Sequence, residues 1–467
     1  MSHVAEPGSP RGLLWLAALV YTAFVIYGSL VPLEFRVLPW DEAVARFGAI
    51  RFLTLGVGSR ADLVANLILY LPLGFLLMGA ITGNRRSTAM WGTGIALTGL
   101  VVAGLALSIE FVQQYFPPRT VSLNDLYAEW AGGALGMLLW PLVGRSLSEL
   151  GHRFSQGGEQ SIRAVLVGYA LVYFFLSLFP YDFLLDADEW RTHLASGKAG
   201  WLFAEGCGPV CWGKLIPEML AVVPLGLLLA SRSGRPSIAA AAGMGVLLGL
   251  MIEMLQLGIA SGISQGASIL SRSAGVALGA CLPGLFKCWD SRRMRHWVHV
   301  GLVLAVLPYA GSLAWLNRWF VAPWTDAGAA LARLGEIRFI PFYYHYYTSE
   351  AVALVSLVFQ FGLYAPLGAG VWLWNQGAWR KGSGPWLSFL LGGFAASIVE
   401  TGKLFIPGLH ADPTNALIAS AAAGCSHVLL AILFRSPQPA RIPQADERLL
   451  ASTDNGNRNL LKRRQTY

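Results

Sequence analysis

Three small groups of polar residues interrupt apolar stretches in the first third of this chain. Glu110, Gln113 and Gln114 fall at i, i+3 and i+4, the spacing that sets side chains on one helical face. Asp62 and Asn66 make an i, i+4 pair, and Asp125 and Glu129 make another. Arg119 stands between the last two groups, in "YFPPRTVSLND". Two chemistries use such a set. Carboxylates whose surroundings separate their acidities serve as general acid and base, for cleavage or transfer of a glycan. Carboxylates and amides lining a crevice bind a polar ligand without turnover. A plainer reading stands beside both: Asp62 and Asp125 are residue types that cap helix starts, and Glu110 is near enough to a helix end to reach headgroups.

The elements that must hold these groups are membrane helices. The chain has 467 residues, 55% of them hydrophobic and 13% charged, with a mean hydropathy of +0.53. A soluble protein of this length carries roughly 25% charged residues. Apolar runs of about 20 residues recur, the length a bilayer core of ~30 Å requires. The expected fold is all-α, a polytopic transmembrane bundle of about twelve helices. They run near 12–32, 61–82, 90–114, 124–143, 163–180, 215–231, 237–258, 267–286, 298–316, 349–375, 385–406 and 414–434. The first run lacks a small-residue cleavage site and reads as a retained span.

Alternate connections are short and basic, such as "GNRRST", "SRSGRP" and "KCWDSRRMRHW". Together with both termini they hold most of the 34 lysines and arginines. The positive-inside pattern therefore places both termini in the cytoplasm, N-in and C-in. The net charge of +8 has the same origin and does not indicate nucleic acid. In this orientation the three polar groups lie within about two turns of the external surface, so the crevice opens outward. Unpaired charge in hydrocarbon costs roughly 2.5–3.5 kcal/mol on insertion scales, which is the reason to expect a shared polar face.

Short blocks recur in the same order. "SLVPLEF" (29–35) returns as "SLFPYDF" (177–183), and "ARFGAIRFL" (45–53) as "ARLGEIRFI" (332–340). "LPLGFLL" (71–77) returns as "VPLGLLL" (223–229) and "APLGAGV" (365–371). "IEFVQQ" (109–114) returns as "IEMLQL" (252–257) and "VETGKL" (399–404). The chain thus reads as three parallel four-helix repeats, 12–145, 163–287 and 298–434, with a basic, disordered cytoplasmic tail at 435–467. An even number of spans per repeat gives all three one orientation, unlike the inverted repeats of many transporters.

"SLVP", "ADLVANLILYLPLG" and "IEFVQQYFPPRTVSLNDLYAEWAGGALG" give the first repeat its resemblance to the VanZ-like family of bacterial membrane proteins. The resemblance covers the whole first repeat and is eroded in the other two. It implies the bacterial inner membrane and a role in the cell envelope, in resistance to the glycopeptide teicoplanin, or in exopolysaccharide biology. It implies a setting rather than a reaction. The partners to expect are membrane lipids, a lipid-linked glycan or envelope polysaccharide machinery, with no cofactor. Binder, enzyme and flippase or other transporter all remain open at this point.

The repeats differ at the candidate positions. Asp62, Asn66, Asp125 and Glu129 are matched by Lys214, Glu218, Ser268 and Arg272 in the second repeat, where Lys214 and Glu218 can pair. The third has Ser356, Gln360, Asn415 and Ala419. Only the position of Glu110 stays acidic throughout, as Glu253 and Glu400. The third repeat adds "LHADPTN", with His410, Asp412 and Asn415; one His and one Asp do not complete a metal site. Cys207 and Cys211 share the loop "EGCGPVCWG", where a disulfide can form. Aromatic-rich external loops, including "IPFYYHYY", read as an interfacial belt or as a platform for sugar rings or headgroups. "AGGALG", "SAGVALG" and "ASAAAG" permit close helix approach. No Walker loop, dinucleotide fingerprint, G-x-S-x-G or HExxH is present.

Overall fold

A computed structural model describes residues 10–54, 56–83, 87–205, 209–233, 237–286, 291–375 and 384–435. Cys207, the basic tail from 436 and residues 84–86, 234–236, 287–290 and 376–383 lie outside the described residues.

The described chain is mainly helical, with almost no strand. The first segment holds α1 (Pro10–Leu30), α2 (Trp40–Gly48), α3 (Val57–Thr82), α4 (Thr88–Gln113) and α5 (Leu123–Gln156). The second holds α6 (Gly158–Leu176), α7 (Ala187–Ala195), α8 (Pro209–Gly213), α9 (Leu215–Ser233), α10 (Ile238–Leu257) and α11 (Gly266–Phe286). The third holds α12 (Ser291–Leu316), α13 (Ala327–Glu336), α14 (Tyr343–Tyr346), α15 (Glu350–Trp374), α16 (Gly384–Leu404) and α17 (Thr414–Leu433). The only described sheet pairs β1 (Ala199–Gly200) in parallel with β2 (Ser264–Gln265).

Ten described helical stretches are long and apolar enough to cross a membrane. This is a multi-pass membrane protein. Twelve such stretches were expected, and the two that fall short are α5 and α11. Both are helical, but α5 carries Asp125 and Glu129 and α11 carries Arg272. These helices can be more polar because they pack inside, α5 on α3 and α11 on α9, and their polar atoms meet protein instead of lipid. Outward positions are apolar and exposed, as at Leu100 and Leu307.

A second departure concerns the connection at 144–162. A loop was expected there, yet α5 runs 34 residues to Gln156, about 51 Å at 1.5 Å per residue. "RSLSELGHRFSQ" has no internal proline and enough helix-forming residues to continue the helix past the membrane.

Close helix contact depends on small residues. A side-chain carbon on Gly132 would lie 2.1 Å from the Leu67 carbonyl oxygen, and one on Gly136 would lie 2.0 Å from that of Leu71. The same relation ties Gly275 to Met219, Gly279 to Val223 and Gly368 to Ala423. Backbone touches backbone along α3/α5, α9/α11 and α15/α17.

A tyrosine stands beside one helix-internal proline in each segment. Pro72, Pro224 and Pro366 lie inside α3, α9 and α15, and each removes an N–H from its helix. Beside the disrupted turn, Tyr21 donates to the Leu69 carbonyl (3.0 Å), Tyr169 to Ala221 (2.6 Å) and Tyr309 to Leu363 (2.8 Å). The acceptor precedes the proline by three residues each time.

The segments also bind one another. Arg60 pairs with Glu189 at 2.7 Å and donates to the Phe183 carbonyl, joining the first segment to the second. Tyr343 and Tyr347 both donate to Glu34, and Tyr27 donates to the Pro341 carbonyl, joining the third to the first. α17 packs on α5 and α6.

Candidate functional site

Ser122 begins the site by starting α5. Its hydroxyl accepts the Asp125 backbone N–H (3.1 Å) and donates to the Asp125 carboxylate (2.7 Å). Ser122 is thus the N-cap, which corrects the capping role considered for Asp125. Asp62 lies inside α3, whose N-cap is Gly56, so it caps nothing either. The Asp125 carboxylate also accepts from Asn66 at 2.8 Å, locking α3 to α5. Asn124 exchanges two hydrogen bonds with the Leu53 backbone and holds the preceding loop against the same helix start.

Asp62, Asn66, Glu110, Gln113, Arg119 and Asp125 line one cavity of about 770 Å³. It is not a crevice of the first segment alone, as the sequence suggested. His345, Tyr346 and Glu350 close its other side. Arg119 lies 5.2 Å over the Tyr346 ring, a cation–π contact, and Tyr346 donates to the Pro118 carbonyl. His345 and Tyr346 were legible only as part of an aromatic-rich loop, and Glu350 was not singled out.

Two expected members lie elsewhere. Gln114 occupies the C-cap of α4 and lines a second cavity instead, because its dihedrals are still helical and adjacent helical residues point in different directions. Glu129 is buried below the first cavity and does not line it. Its neighbours are Glu110 and Tyr70, a buried tyrosine that the sequence did not single out.

Glu110 is 1% exposed and Gln113 is 4% exposed, yet each has a side-chain oxygen without a hydrogen-bond partner among the described residues. For Gln113 the amide end is used, donating to the Ser29 carbonyl at 2.9 Å, and Oε1 is left over. Glu110 interacts with the Ser122 backbone N–H, while its Oε2 has no donor. Leaving such an acceptor buried costs about 1–3 kcal/mol, more for a charged group.

The corresponding glutamates are fully partnered. Glu253 accepts from Arg272 through one oxygen and from the Gln265 backbone N–H (2.6 Å) through the other. Arg272 further contacts Glu218 (3.1 Å) and Tyr173 (3.1 Å), and Lys214 lies 3.6 Å from Glu218. Glu400 accepts from Lys403 (2.7 Å), Asn415 (2.9 Å) and the Asp412 backbone N–H (2.8 Å). All three glutamates thus face the backbone N–H twelve positions later. Only Glu110 keeps a free oxygen.

His410 is exposed and takes no part in these networks. The histidine near Asp412 is His345, whose Nδ1 lies 3.3 Å from Asp412 Oδ2 without hydrogen-bond alignment. Burial opposes ionisation of Asp412, but contacts from His345 and Thr414 outweigh it and hold its carboxyl below the usual range. Cys211 is disulfide-bonded and buried. Among the described residues, no group of three or more His, Cys, Asp and Glu side chains could hold a metal ion.

Residues 14–144 match the family model VanZ/LLP1. The first segment is VanZ-like. The match ends within α5, so the VanZ-like part carries every first-segment residue of the cavity, while His345, Tyr346 and Glu350 come from outside it. No curated protein and no solved structure matches the chain.

Proposed function

We propose that this VanZ-like membrane protein serves the bacterial cell envelope, in glycopeptide resistance or exopolysaccharide biology, by binding a polar glycan- or lipid-linked ligand in the 770 Å³ cavity. One observation carries the reading. Glu110, alone among three corresponding glutamates, keeps a buried oxygen without a donor, on a wall of that cavity. Sugar hydroxyls are donors of the kind this oxygen and Gln113 Oε1 lack. The cavity volume falls in the roughly 300–1,000 Å³ range of small-ligand sites.

The chain is three tandem four-helix units in this proposal. The recurring glutamate–backbone contact, tyrosine–carbonyl bond and glycine–carbonyl approach support that organisation. The second and third units close their glutamates into internal networks and serve as scaffold, the third also walling the cavity. Both termini are cytoplasmic in the inner membrane, and the cavity faces outward.

The test is Glu110→Gln. Gln keeps the shape and one acceptor but cannot carry charge or move a proton. It should abolish function and the affinity contributed by the glycan, with membrane levels intact. Loss that accompanies degraded protein would instead make Glu110 a structural tie. An enzymatic reading has one observation in its favour, the neighbouring buried carboxylates Glu110 and Glu129. Turnover of a lipid-linked glycan by purified protein would select it, and binding without turnover would reject it.

A further inference from the structure

Arg119 lines two cavities. Besides the carboxylate-rich one, it borders a second of about 410 Å³ with Arg36, Arg46 and Gln114. Glu42 is the one acid on that wall, and it pairs with Arg46 across one turn of α2. The two compartments therefore have opposite character across a single guanidinium. On one side are Asp62, Glu110, Asp125 and Glu350; on the other are three arginines against one glutamate.

The second compartment lies where lipid headgroups would. α2 buries Ala43 and packs Trp40 and Phe47 on Phe111, with ring centroids 5.2 and 5.4 Å apart. Phe35, Val37 and Val44 around it are exposed. An amphipathic helix with bare aromatic and aliphatic side chains lies in the membrane interface. Arginine forks match phosphate oxygens and are weakly hydrated, which suits them to this level. Gln114 Oε1, a buried acceptor without a donor among the described residues, points to a hydroxyl next to the anion.

We infer that the 410 Å³ compartment takes the phosphate of an amphiphilic phosphate ester whose hydroxyl- or amine-bearing group enters the carboxylate cavity, with Arg119 at the joint. This rests on the ligand-binding reading above and names its ligand class. A glycosyl phosphate on a polyprenyl carrier and an ethanolamine phospholipid share this chemistry, a phosphate beside a donor-rich group.

The test uses full-length protein in nanodiscs titrated with four probes: polyprenyl alcohol, polyprenyl phosphate, polyprenyl phosphoglucose and phosphatidylethanolamine. The phosphate-bearing probes should bind at least about tenfold tighter than the alcohol. The tighter of the last two identifies the source. Arg36→Gln with Arg46→Gln should weaken every phosphate probe about tenfold or more and leave the alcohol unchanged. Both side chains are exposed, so the fold should survive, as gel filtration would verify. Glu42→Gln should shift affinity the other way, because it removes the opposing charge. Glu110→Gln should abolish the binding of polyprenyl phosphoglucose beyond what bare polyprenyl phosphate shows, leaving phosphate-driven affinity in place. Unchanged phosphate affinity in the arginine double variant overturns the inference and leaves the cavity reading standing. Retained headgroup preference in Glu110→Gln, with the arginine effect present, sinks the cavity reading and keeps the phosphate compartment.

Discussion

Arg272 bridges Glu218 and Glu253 at the place where the VanZ-like segment has Glu129 beside Glu110. One guanidinium turns a set of carboxylates into a closed ion network. Without it, the first segment keeps acids that face a cavity. The same helices thus serve as scaffold in one segment and as a polar wall in another.

Glu253→Gln should therefore act on stability. Removing one partner of a buried ion pair typically costs about 3–5 kcal/mol. The variant should melt earlier in detergent, and Glu253→Gln with Arg272→Met should lose less than the two single losses added. If Glu253→Gln matched Glu110→Gln in lost function with an unchanged melting curve, the division between scaffold and site would fail.

Gly132→Ala should disrupt the α3/α5 contact, since its new carbon would meet a backbone carbonyl at 2.1 Å. Overpacking of this kind costs about 1–3 kcal/mol. Gly104 on α4 has nothing within 4 Å, and Gly104→Ala should be neutral or slightly stabilising. Equal yields and melting temperatures for the two variants would rule out backbone contact as the reason for the glycines.

Glu189 links acid stability to a contact between segments. The hydrogen bond from Arg60, with further bonds from the Leu185 and Asp186 backbone, brings its carboxyl down to about 2 from 4.5. A depressed carboxyl stabilises the fold above its unfolded value, and that contribution is lost as pH falls from 4.5 toward 2. Melting temperature should drop through this window, and Glu189→Gln should flatten the drop. An identical acid profile in the variant would remove the link.

Membrane orientation is open to direct labelling. Single cysteines near Trp40 and Tyr344 on a cysteine-free background should react with an impermeant maleimide on intact cells. Cysteines at positions 85 and 292 should react only after permeabilisation. The reverse pattern would turn the cavity toward the cytoplasm.

Helix type, approximate helix number and the candidate acids were readable because each depends on local rules: apolar runs of membrane length, i, i+4 spacing, and glycines at four-residue intervals. The first-segment set Asp62, Asn66, Glu110, Gln113 and Asp125 was visible for that reason. Tertiary structure decided what no spacing encodes. Gln114 points away from Gln113 because it keeps helical dihedrals at the α4 C-cap, and adjacent helical residues do not share a direction. α5 continued to Gln156 because nothing in its sequence stops it at the membrane boundary. The second wall of the cavity, His345, Tyr346 and Glu350, arrives through the docking of Tyr343 and Tyr347 on Glu34. That contact joins residues about 310 positions apart. Which glutamate keeps a free oxygen was likewise undetermined by residue type. It depends on whether a neighbouring helix brings an arginine or an asparagine within reach, as at Glu253 and Glu400, and packing sets those distances.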